Sequence, residues 1–272
     1  MVNSVFNHVS KKIISSKVND EIDGYPYIEI NDLFPEDYYK ELIDVLKNMN
    51  QDVFNALSKN YPNRYIYDLN QGEKGQKNRQ NFNDLKPQER KFWLNFQQTF
   101  LIDESFKNLF FSKYEDYIDF PYLNKSVATC RLQRDFKNYS IGPHRDRLDK
   151  LFSVMIYTPT VDILTDKIKK DHGTEICILN HEDPKNAPLS PKHIGTGADR
   201  HFSFDDVRII KTALSEPNSL FSWAVAARSF HGVTPLKVDK IRSTIAYFVK
   251  IPKNLTGAHK LYGNSNFKKV IQ

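Results

Sequence analysis

The chain has 272 residues, of which 40% are hydrophobic and 13% aromatic, and its formal net charge is +6. This length suits one large domain or two small ones, and the hydrophobic content supports a substantial core. Lysine and arginine are scattered rather than gathered into a basic block. That distribution argues against nucleic-acid binding and favours a soluble protein with an anionic small ligand.

The cysteine and hydropathy patterns indicate the cellular compartment of the protein. Cys130 and Cys177 are the only cysteines, and they lack the spacing of a metal site. Two isolated thiols indicate a reducing compartment rather than a disulfide framework. Residues 1–17 lack the apolar centre of a signal peptide, and no stretch is apolar enough to span a membrane. We therefore expect a cytoplasmic protein with no membrane partner.

The first part of the chain, residues 1–125, is predicted to be a mostly helical support region with one opening strand. Residues 1–23 are polar, and we expect them to be frayed or loosely docked. Residues 25–30 predict a short strand, and a helix is predicted to begin near Pro35, because proline and acidic residues suit a first turn. An apolar stripe at helical spacing supports this helix: Tyr39, Leu42, Val45 and Leu46.

Two further segments complete this part of the chain. Residues 51–83 are rich in Asn, Gln, Lys and Tyr without a clear period, and we interpret them as loop with a short helix. Residues 86–114 carry the strongest helical pattern. Four aromatic residues share one face of it and are predicted to pack against a sheet: Phe92, Trp93, Phe96 and Phe100.

From residue 126 onward the pattern changes to short apolar strands separated by turn residues. The predicted strands cover residues 127–133, 151–157, 174–179, 208–212, 219–226 and 241–250. Helices followed by many strands predict an α+β chain, mainly β, built as a sandwich or barrel. Strands and helices do not alternate, which argues against a doubly wound parallel sheet.

Two histidines and one aspartate are candidate metal ligands. One residue separates His144 from Asp146, so an extended strand would point both side chains to the same face. His231 lies 85 residues after Asp146 and supplies a third ligand. Two histidines and one carboxylate that leave other positions open form the facial triad of non-haem Fe(II) oxygenases. The His-x-Asp pair alone also arises by chance in surface turns, so the surrounding residues must decide.

A candidate anion clamp lies at the start of the last strong strand. Arg242 and Thr244 share one strand face, where a guanidinium and a hydroxyl can bind the same carboxylate. Such a clamp near a metal triad suits 2-oxoglutarate, which chelates the metal at one end and carries a second carboxylate at the other. A structural salt bridge is the alternative role for Arg242, and Arg131 or Arg134 would then be the clamp.

In their order and spacing, these motifs resemble those of the Fe(II)/2-oxoglutarate-dependent dioxygenases, with a pattern like that of the prolyl 4-hydroxylase-type members. Gly-Pro-His-Arg-Asp at residues 142–146 looks like their first metal motif, and Ser-Phe-His-Gly-Val at residues 229–233 is similar to the second. Asp-His-Gly-Thr-Glu at residues 171–175 looks like their Gly-Thr start of a strand. The resemblance is strongest over residues 141–250.

The resemblance implies a double-stranded β-helix, also called a jelly roll or cupin-like fold, with packing helices from the N-terminal half. The chain would form a single domain over residues 1–272. Within it, residues 126–250 would be the catalytic core and residues 251–272 a C-terminal tail. The metal would lie inside the open end of the barrel.

The resemblance also implies a set of site residues. His144, Asp146 and His231 would bind Fe(II) and carry the catalysis. The co-substrate 2-oxoglutarate would place its far carboxylate on Arg242, Thr244 and Tyr157. Many prolyl hydroxylases have lysine where this chain has Arg242, so the subgroup within the family is open. The resemblance also leaves open whether the protein uses ascorbate. Halogenase relatives lack the metal-binding carboxylate, so the presence of Asp146 favours hydroxylation of a C–H bond.

Other functional classes fit the sequence less well. His-Arg-Asp also begins the catalytic loop of protein kinases, but that loop needs Asn five residues after the Asp, where this chain has Leu151. A serine hydrolase would need Gly-x-Ser-x-Gly, which is absent. The alternative from another class is a non-catalytic cupin-like binding module. Turnover of the co-substrate separates the two.

The substrate is left open by the sequence. A peptidyl proline, a free amino acid, a sugar or another small metabolite all fit the resemblance, and the oligomeric state is open too. We expect the long connection at residues 180–206 to frame the substrate, because long loops beside barrel mouths are commonly functional. Its histidines are not predicted to bind metal: His181, His193 and His201.

Overall fold

The computed structural model describes residues 2–20, 25–58, 61–70, 82–160, 165–180 and 201–263. The helices are α1 (Val2–Ser15), α2 (Glu36–Asn48), α3 (Pro87–Gln97), α4 (Ser105–Tyr114) and α5 (Asp166–Asp171). The strands of the first half are β1 (Tyr27–Ile30), β2 (Asn55–Ser58), β3 (Tyr61–Asp68) and β4 (Ile118–Asp119). The other strands are β5 (Val127–Asp135), β6 (Ile141–His144), β7 (Lys150–Tyr157), β8 (Thr174–Leu179), β9 (Val207–Ala213), β10 (Ser219–Ala224), β11 (Phe230–Val233), β12 (Arg242–Lys250) and β13 (Lys260–Leu261).

Two antiparallel sheets form the centre of the molecule. The large sheet has the order β1-β10-β7-β12-β5-β3-β2, and the small one has the order β6-β11-β8-β9. Four pairs nest inside one another along the chain, namely β5 with β12, β6 with β11, β7 with β10, and β8 with β9. The chain between β5 and β12 is therefore one long antiparallel ribbon wound between two sheets. This topology confirms the predicted double-stranded β-helix.

The central strands β7 and β12 are buried on both faces. Every residue of β7 after its first is buried, and so is every residue of β12 before its last. One face of the large sheet meets the helices, while the other encloses the interior of the barrel with the small sheet. Because both faces exclude water, these strands contain mostly apolar runs, Leu-Phe-Ser-Val-Met-Ile-Tyr at residues 151–157 and Ile-Ala-Tyr-Phe-Val at residues 245–249, instead of alternating patterns. Those runs are what made the two strands predictable.

Helix α4 packs on the outer face of the large sheet through aromatic side chains. The Phe152 ring of β7 lies 5.5 Å from the ring of Phe110, 5.3 Å from that of Phe111 and 6.0 Å from that of Tyr114. Phe152 is fully buried. The four aromatic residues predicted to share one helical face are all buried, three of them on α3 and Phe100 in the π-helical turn Gln98–Ile102 that follows it. Their ring contacts outside the set are with Phe6, Phe34, Tyr38 and Phe106, so packing against the sheet stays a prediction. The helices thus hold the sheet from outside and leave the barrel interior to the site.

We predict that Phe152→Ala lowers the free energy of unfolding by about 3–5 kcal/mol, because it removes a large buried ring and leaves a cavity between β7 and α4. Denaturant unfolding measures this loss. Leu94→Ala on α3 is the control, since Leu94 is 45% exposed and its truncation should change stability little. Equal losses in the two variants would contradict this assignment of the core.

The expectation that residues 1–23 are frayed is wrong for most of that segment. Residues 2–15 form α1, and the side chains of Val5, Val9 and Ile13 are buried in the main core. Their spacing of four residues places them on one helix face. Three small apolar residues in a polar segment were enough to anchor a helix because they meet an aromatic core.

The interpretation of residues 51–83 as loop is also wrong in part. Residues 55–58 and 61–68 form the hairpin β2–β3, which extends the large sheet beside β5. In the part of this segment that the structure describes, single 3₁₀ turns at Gln51–Val53 and Phe82–Asp84 match the predicted short helix. Residues 71–81 lie outside the described part of the chain. Pairing with β5 stabilises these strands, and the local sequence does not predict such a tertiary contact.

The remaining predicted elements agree with the structure to within a few residues, including β1, α2, β5 and β7 to β10. Segments from both parts of the chain share the large sheet, because β1, β2 and β3 precede residue 126. After residue 250, β13 pairs with β4. Among the described residues, no helix combines the length and the apolar character that crossing a membrane requires.

Candidate functional site

A cavity of about 330 Å³ opens between the two sheets. Its wall includes the three predicted metal ligands and Arg242. A volume at the low end of the usual range for ligand sites, roughly 300–1,000 Å³, suits small molecules. Four of the six predicted site residues thus line one cavity.

The predicted metal ligands converge on one point. His144, Asp146 and His231 each offer a ligand atom, and these three atoms lie within 4.8 Å of one another. The β6–β11 pairing explains the meeting of the histidines, because His144 and His231 are direct partners in that ladder. Asp146 lies two residues beyond the end of β6, so the prediction that His144 and Asp146 share one face of an extended strand is wrong. The turn after β6 nevertheless directs the carboxylate to the same point.

Hydrogen bonds fix which ring nitrogen of each histidine faces the cavity. His144 Nδ1 lies 2.9 Å from the carbonyl oxygen of Gly142, and His231 Nδ1 lies 3.0 Å from that of Ser229. A carbonyl only accepts, so each Nδ1 carries the proton and each Nε2 keeps its lone pair. Burial lowers the pKa of both rings, and His231 and His201 lower that of His144 further. Both imidazoles are therefore neutral at neutral pH and able to bind a cation.

The third group of the cluster is an ionised carboxylate. Lys150 Nζ donates to Asp146 Oδ1 at 2.5 Å, and Ser153 Oγ donates to Asp146 Oδ2 at 2.7 Å. Burial alone would raise the pKa of Asp146, but Lys150 and the two histidines outweigh it and hold the pKa below its usual range. The carboxylate is therefore negatively charged and oriented by two donors.

This donor set fits a divalent metal such as Fe(II). Two neutral imidazoles and one carboxylate are the ligands of the facial triad, and three protein ligands leave positions for other molecules. Metal-binding histidines commonly donate their second ring nitrogen to a backbone carbonyl, and both histidines do so here. Among the described residues, His144, Asp146 and His231 form the one such cluster.

Gly232, next to His231, allows β11 to approach β6 closely. A Cβ at this position would lie 2.9 Å from the carbonyl oxygen of Ile141 and 3.0 Å from Cζ of Phe204. The backbone oxygen of Ile141 cannot yield without moving a strand. Gly232 therefore sets the separation of the two strands that carry the histidines.

We predict that Gly232→Ala weakens metal binding by roughly tenfold, the scale seen when the support of a metal ligand is disturbed. The added methyl group pushes β11 from β6 and changes the spacing of the two imidazoles. Calorimetric titration of the metal measures the loss. Gly257→Ala is the matched control, because a Cβ there meets no atom within 4 Å. Unchanged affinity in Gly232→Ala would show that the strand spacing is not critical.

Two aromatic neighbours of the cluster were not predicted. The His201 ring stacks on that of His144, with centroids 4.4 Å apart and planes at 10°, and Trp223 lies 4.4 Å from the ring of His231. His201 also forms a backbone bridge with His144. His201, near the end of the long connection at 180–206, thus borders the cluster, while His181 and His193 lie outside the described residues. The expected role of this connection in framing the substrate stays a prediction. No sequence signal distinguished His201 from the other two.

Arg242 reaches the cavity wall, but its guanidinium already has protein partners. It donates to Asp135 Oδ2 at 2.8 Å, to the His172 carbonyl oxygen at 2.6 Å and to Thr174 Oγ1 at 3.2 Å. Asp135 is fully buried and also accepts two bonds from Arg64, at 2.6 and 2.7 Å. Burial raises the pKa of Asp135, but Arg64 and Arg242 outweigh it and lower the pKa below its usual value.

One carboxylate therefore lies between two guanidiniums. The structural salt bridge considered for Arg242 is real, yet it neutralises only one of the two positive charges. A net positive charge remains at this end of the cavity. Asp135 and Arg64 were missed by the sequence interpretation, although Asp135 continues an alternation of polar residues along β5: Arg131, Gln133 and Asp135.

The other two predicted co-substrate residues lie behind the cavity wall. Tyr157 is buried, and its hydroxyl donates to Thr174 Oγ1 at 2.7 Å. The Thr244 hydroxyl lies 3.3 Å from the side-chain amide of Gln133. Thr244 and Tyr157 are direct partners across β12 and β7, so the two residues lie side by side in the large sheet. Neither belongs to the wall itself, whereas Thr174 does.

The two alternative clamps face opposite sides of β5. Arg134 donates to the carbonyl oxygens of Leu46 and Met49 at the end of α2, on the outer face of the sheet. Arg131 points inward and lines the cavity. With its oxygen turned toward Arg131, the Gln133 amide accepts from Nε and Nη2 at 2.7 and 2.9 Å. The geometry thus excludes Arg134 and keeps Arg131.

No family model and no curated protein matches this chain. Solved structures do resemble it. A prolyl-4-hydroxylase from Pseudomonas putida has a TM-score of 0.49 at 9% identity, over 90% of this chain and 99% of that one. A Trichoplax adhaerens prolyl hydroxylase, in complex with a hypoxia inducible factor peptide fragment, has a TM-score of 0.48 at 13% identity, over 90% and 88%. HygX from Streptomyces hygroscopicus, with nickel and 2-oxoglutarate bound, has a TM-score of 0.48 at 11% identity, over 86% and 85%.

Proposed function

We propose that this chain is an Fe(II)- and 2-oxoglutarate-dependent dioxygenase that hydroxylates a C–H bond of its substrate. The observation that carries the proposal is the cluster of His144, Asp146 and His231, with both imidazoles neutral and the carboxylate ionised at the wall of a cavity. Fe(II) held by this cluster would supply the activation of O2. The protein residues supply the orientation of the reactants and the exclusion of water.

The two ends of the cavity suit the two ends of 2-oxoglutarate. The 2-oxo acid group would bind at the metal beside Asp146. The far carboxylate would bind near Arg242 and Thr174, where two guanidiniums share one aspartate. Between the metal cluster and Arg242, Met155 of β7 and Ala246 of β12 face the interior as direct partners. The short side chain of Ala246 leaves room for the carbon chain of 2-oxoglutarate. This arrangement gives the co-substrate one defined direction in the site.

The reaction balances as follows. O2 and 2-oxoglutarate give succinate and CO2, with one oxygen atom entering the new carboxylate of succinate. The other oxygen atom enters the C–H bond of the second substrate, which becomes an alcohol. Prolyl 4-hydroxylation is one form of this reaction, and hydroxylation of a small metabolite or sugar is another. A cytoplasmic location fits the two free buried cysteines.

The test is a screen of candidate substrates with protein reconstituted anaerobically with Fe(II) and then exposed to air. We expect succinate to form only when Fe(II), 2-oxoglutarate and O2 are all present, and the substrate to gain the mass of one oxygen atom. A peptidyl proline, free amino acids and sugars belong in the first set. Succinate formation that continues without added metal, after chelation, would contradict the proposal.

One observation favours the alternative of a non-catalytic binding module. The Lys150 ammonium group already occupies Oδ1 of Asp146, where it competes with a metal ion. In a binding module this ion pair would be permanent. Formation of succinate separates the two functions, because the dioxygenase must displace Lys150, bind Fe(II) and turn over 2-oxoglutarate, whereas a binding module forms no succinate.

A further inference from the structure

The wall of the cavity is strongly cationic. Asp146 is the one carboxylate among its described lining residues. Six lining residues carry positive charge, namely Arg64, Arg131, Arg145, Arg147, Lys150 and Arg242. Such an excess of one sign inside a low-dielectric cleft raises the local concentration of ligands of the opposite sign.

Four of these six cations have carboxylate partners. Lys150 pairs with Asp146, and Arg147 Nε pairs with Asp149 at 3.1 Å. Arg64 and Arg242 share Asp135, which leaves one net positive charge for the far carboxylate of 2-oxoglutarate. The proposed metal and co-substrate therefore account for this part of the wall.

Among the described residues, Arg131 and Arg145 form no ion pair with a carboxylate, although Asp68, the partner of Arg131 across β3 and β5, lies near enough to raise the pKa of Arg131. Arg131 binds only the Gln133 amide and lies over the Phe248 ring, with its Cζ 5.1 Å from the ring centroid. Arg145 donates to the Ala227 carbonyl oxygen at 3.3 Å, while its buried Nε has no partner. Burial, and then the nearby Arg64, lowers the pKa of Arg131 to about 10, so it is charged at neutral pH.

We propose that the hydroxylated substrate is a small anion, with a carboxylate or phosphate group bound by Arg131. This inference rests on the proposed function. A guanidinium binds planar carboxylates and phosphates through two parallel hydrogen bonds, and Phe248 holds the Arg131 fork in place. Arg145, beside the metal cluster, adds a second positive charge. The cavity volume favours a small molecule over a folded or extended protein segment.

The first experiment measures anion binding without iron, O2 or turnover. Inorganic phosphate is titrated into the metal-free protein and followed by the fluorescence of Trp223, which lines the cavity. We expect saturable binding that is at least tenfold weaker in Arg131→Gln and partly restored in Arg131→Lys. Arg208→Gln, on the exposed part of β9, is the matched control and should bind phosphate like the unmodified protein. Equal binding by Arg131→Gln, or none by the unmodified protein, would overturn the proposal.

A second titration separates the substrate site from the co-substrate clamp. Phosphate is added to protein that already holds Zn(II) and saturating 2-oxoglutarate. Binding that persists supports a separate anion site at Arg131, whereas its loss would assign Arg131 to the co-substrate and overturn the proposal. These titrations need no catalysis. A failure to form succinate would therefore contradict the proposed dioxygenase activity but leave the measured phosphate binding unchanged.

The third experiment connects the anion site to turnover. Small carboxylic acids and phosphate monoesters are each compared with the corresponding methyl ester or free alcohol. We expect the anionic member of a pair to accelerate succinate formation at least tenfold more than the neutral one. Equal acceleration by both members, or acceleration by a neutral proline peptide alone, would contradict an anionic substrate.

Discussion

Asp146→Ala should remove most of the metal affinity and abolish the conversion of 2-oxoglutarate to succinate. The carboxylate is the one anionic ligand in the cluster, and its loss leaves two neutral imidazoles beside the Lys150 ammonium group. We expect a fall in Fe(II) affinity of roughly 100-fold or more, above the range for changes to groups that merely support a ligand. Anaerobic calorimetry measures the affinity, and succinate formation after exposure to air measures the activity.

The matched control is Asp149→Ala. Asp149 lies three residues farther along the chain and pairs with Arg147, so it tests the loss of a nearby carboxylate that is not in the cluster. This control should bind metal and form succinate like the unmodified protein. If Asp146→Ala did the same, Asp146 would not be a ligand and the cluster would have only structural significance.

Arg242→Ala should weaken 2-oxoglutarate binding far more than metal binding. Removal of one partner of a buried charge pair typically costs about 3–5 kcal/mol. A loss of that size corresponds to a fall in affinity of roughly 100-fold or more. Metal affinity should remain within about threefold, because Arg242 is not one of the three residues of the cluster and pairs with Asp135. Calorimetric titration of 2-oxoglutarate into Zn(II)-loaded protein measures the effect.

Arg242 also supports the fold, so the variant needs a control for stability. Its guanidinium holds Asp135 and the His172 carbonyl, and Asp135 would keep only Arg64 as a partner. Arg242→Lys retains the charge but loses the planar fork, and we expect an intermediate affinity from a folded protein. Unchanged 2-oxoglutarate affinity in Arg242→Ala would move the clamp to Arg131, since Arg134 faces the outside of the sheet.

The strands were predictable where burial alone shapes them. Strands β7 and β12 contain mostly apolar runs, because one face meets the helices and the other lines the barrel. The hairpin β2–β3 was not predictable, since its polar sequence is held by pairing with β5. The helix α1 was not predictable, because its three buried residues, Val5, Val9 and Ile13, form a sparse stripe in a polar segment and are stabilised by contact with the main core.

The candidate site also combines features that the sequence predicts with features that it does not. The convergence of His144 with His231 follows from the β6–β11 ladder, which is a property of the whole topology and entered the sequence interpretation only through a family resemblance. The charge network around Asp135 depends on Arg64, a residue in the missed hairpin. A local pattern identifies the groups that carry the chemistry. It does not identify the groups from distant strands that neutralise or orient them.

Labelling with ¹⁸O2 is the most direct test of the proposed chemistry. Protein reconstituted with Fe(II) is given 2-oxoglutarate under ¹⁸O2, and the succinate is examined by mass spectrometry. If the cluster of His144, Asp146 and His231 activates O2 for oxidative decarboxylation, each succinate should carry one ¹⁸O atom, and Asp146→Ala should form none. Succinate without the label, or no succinate with any substrate while iron and 2-oxoglutarate both bind, would contradict the account.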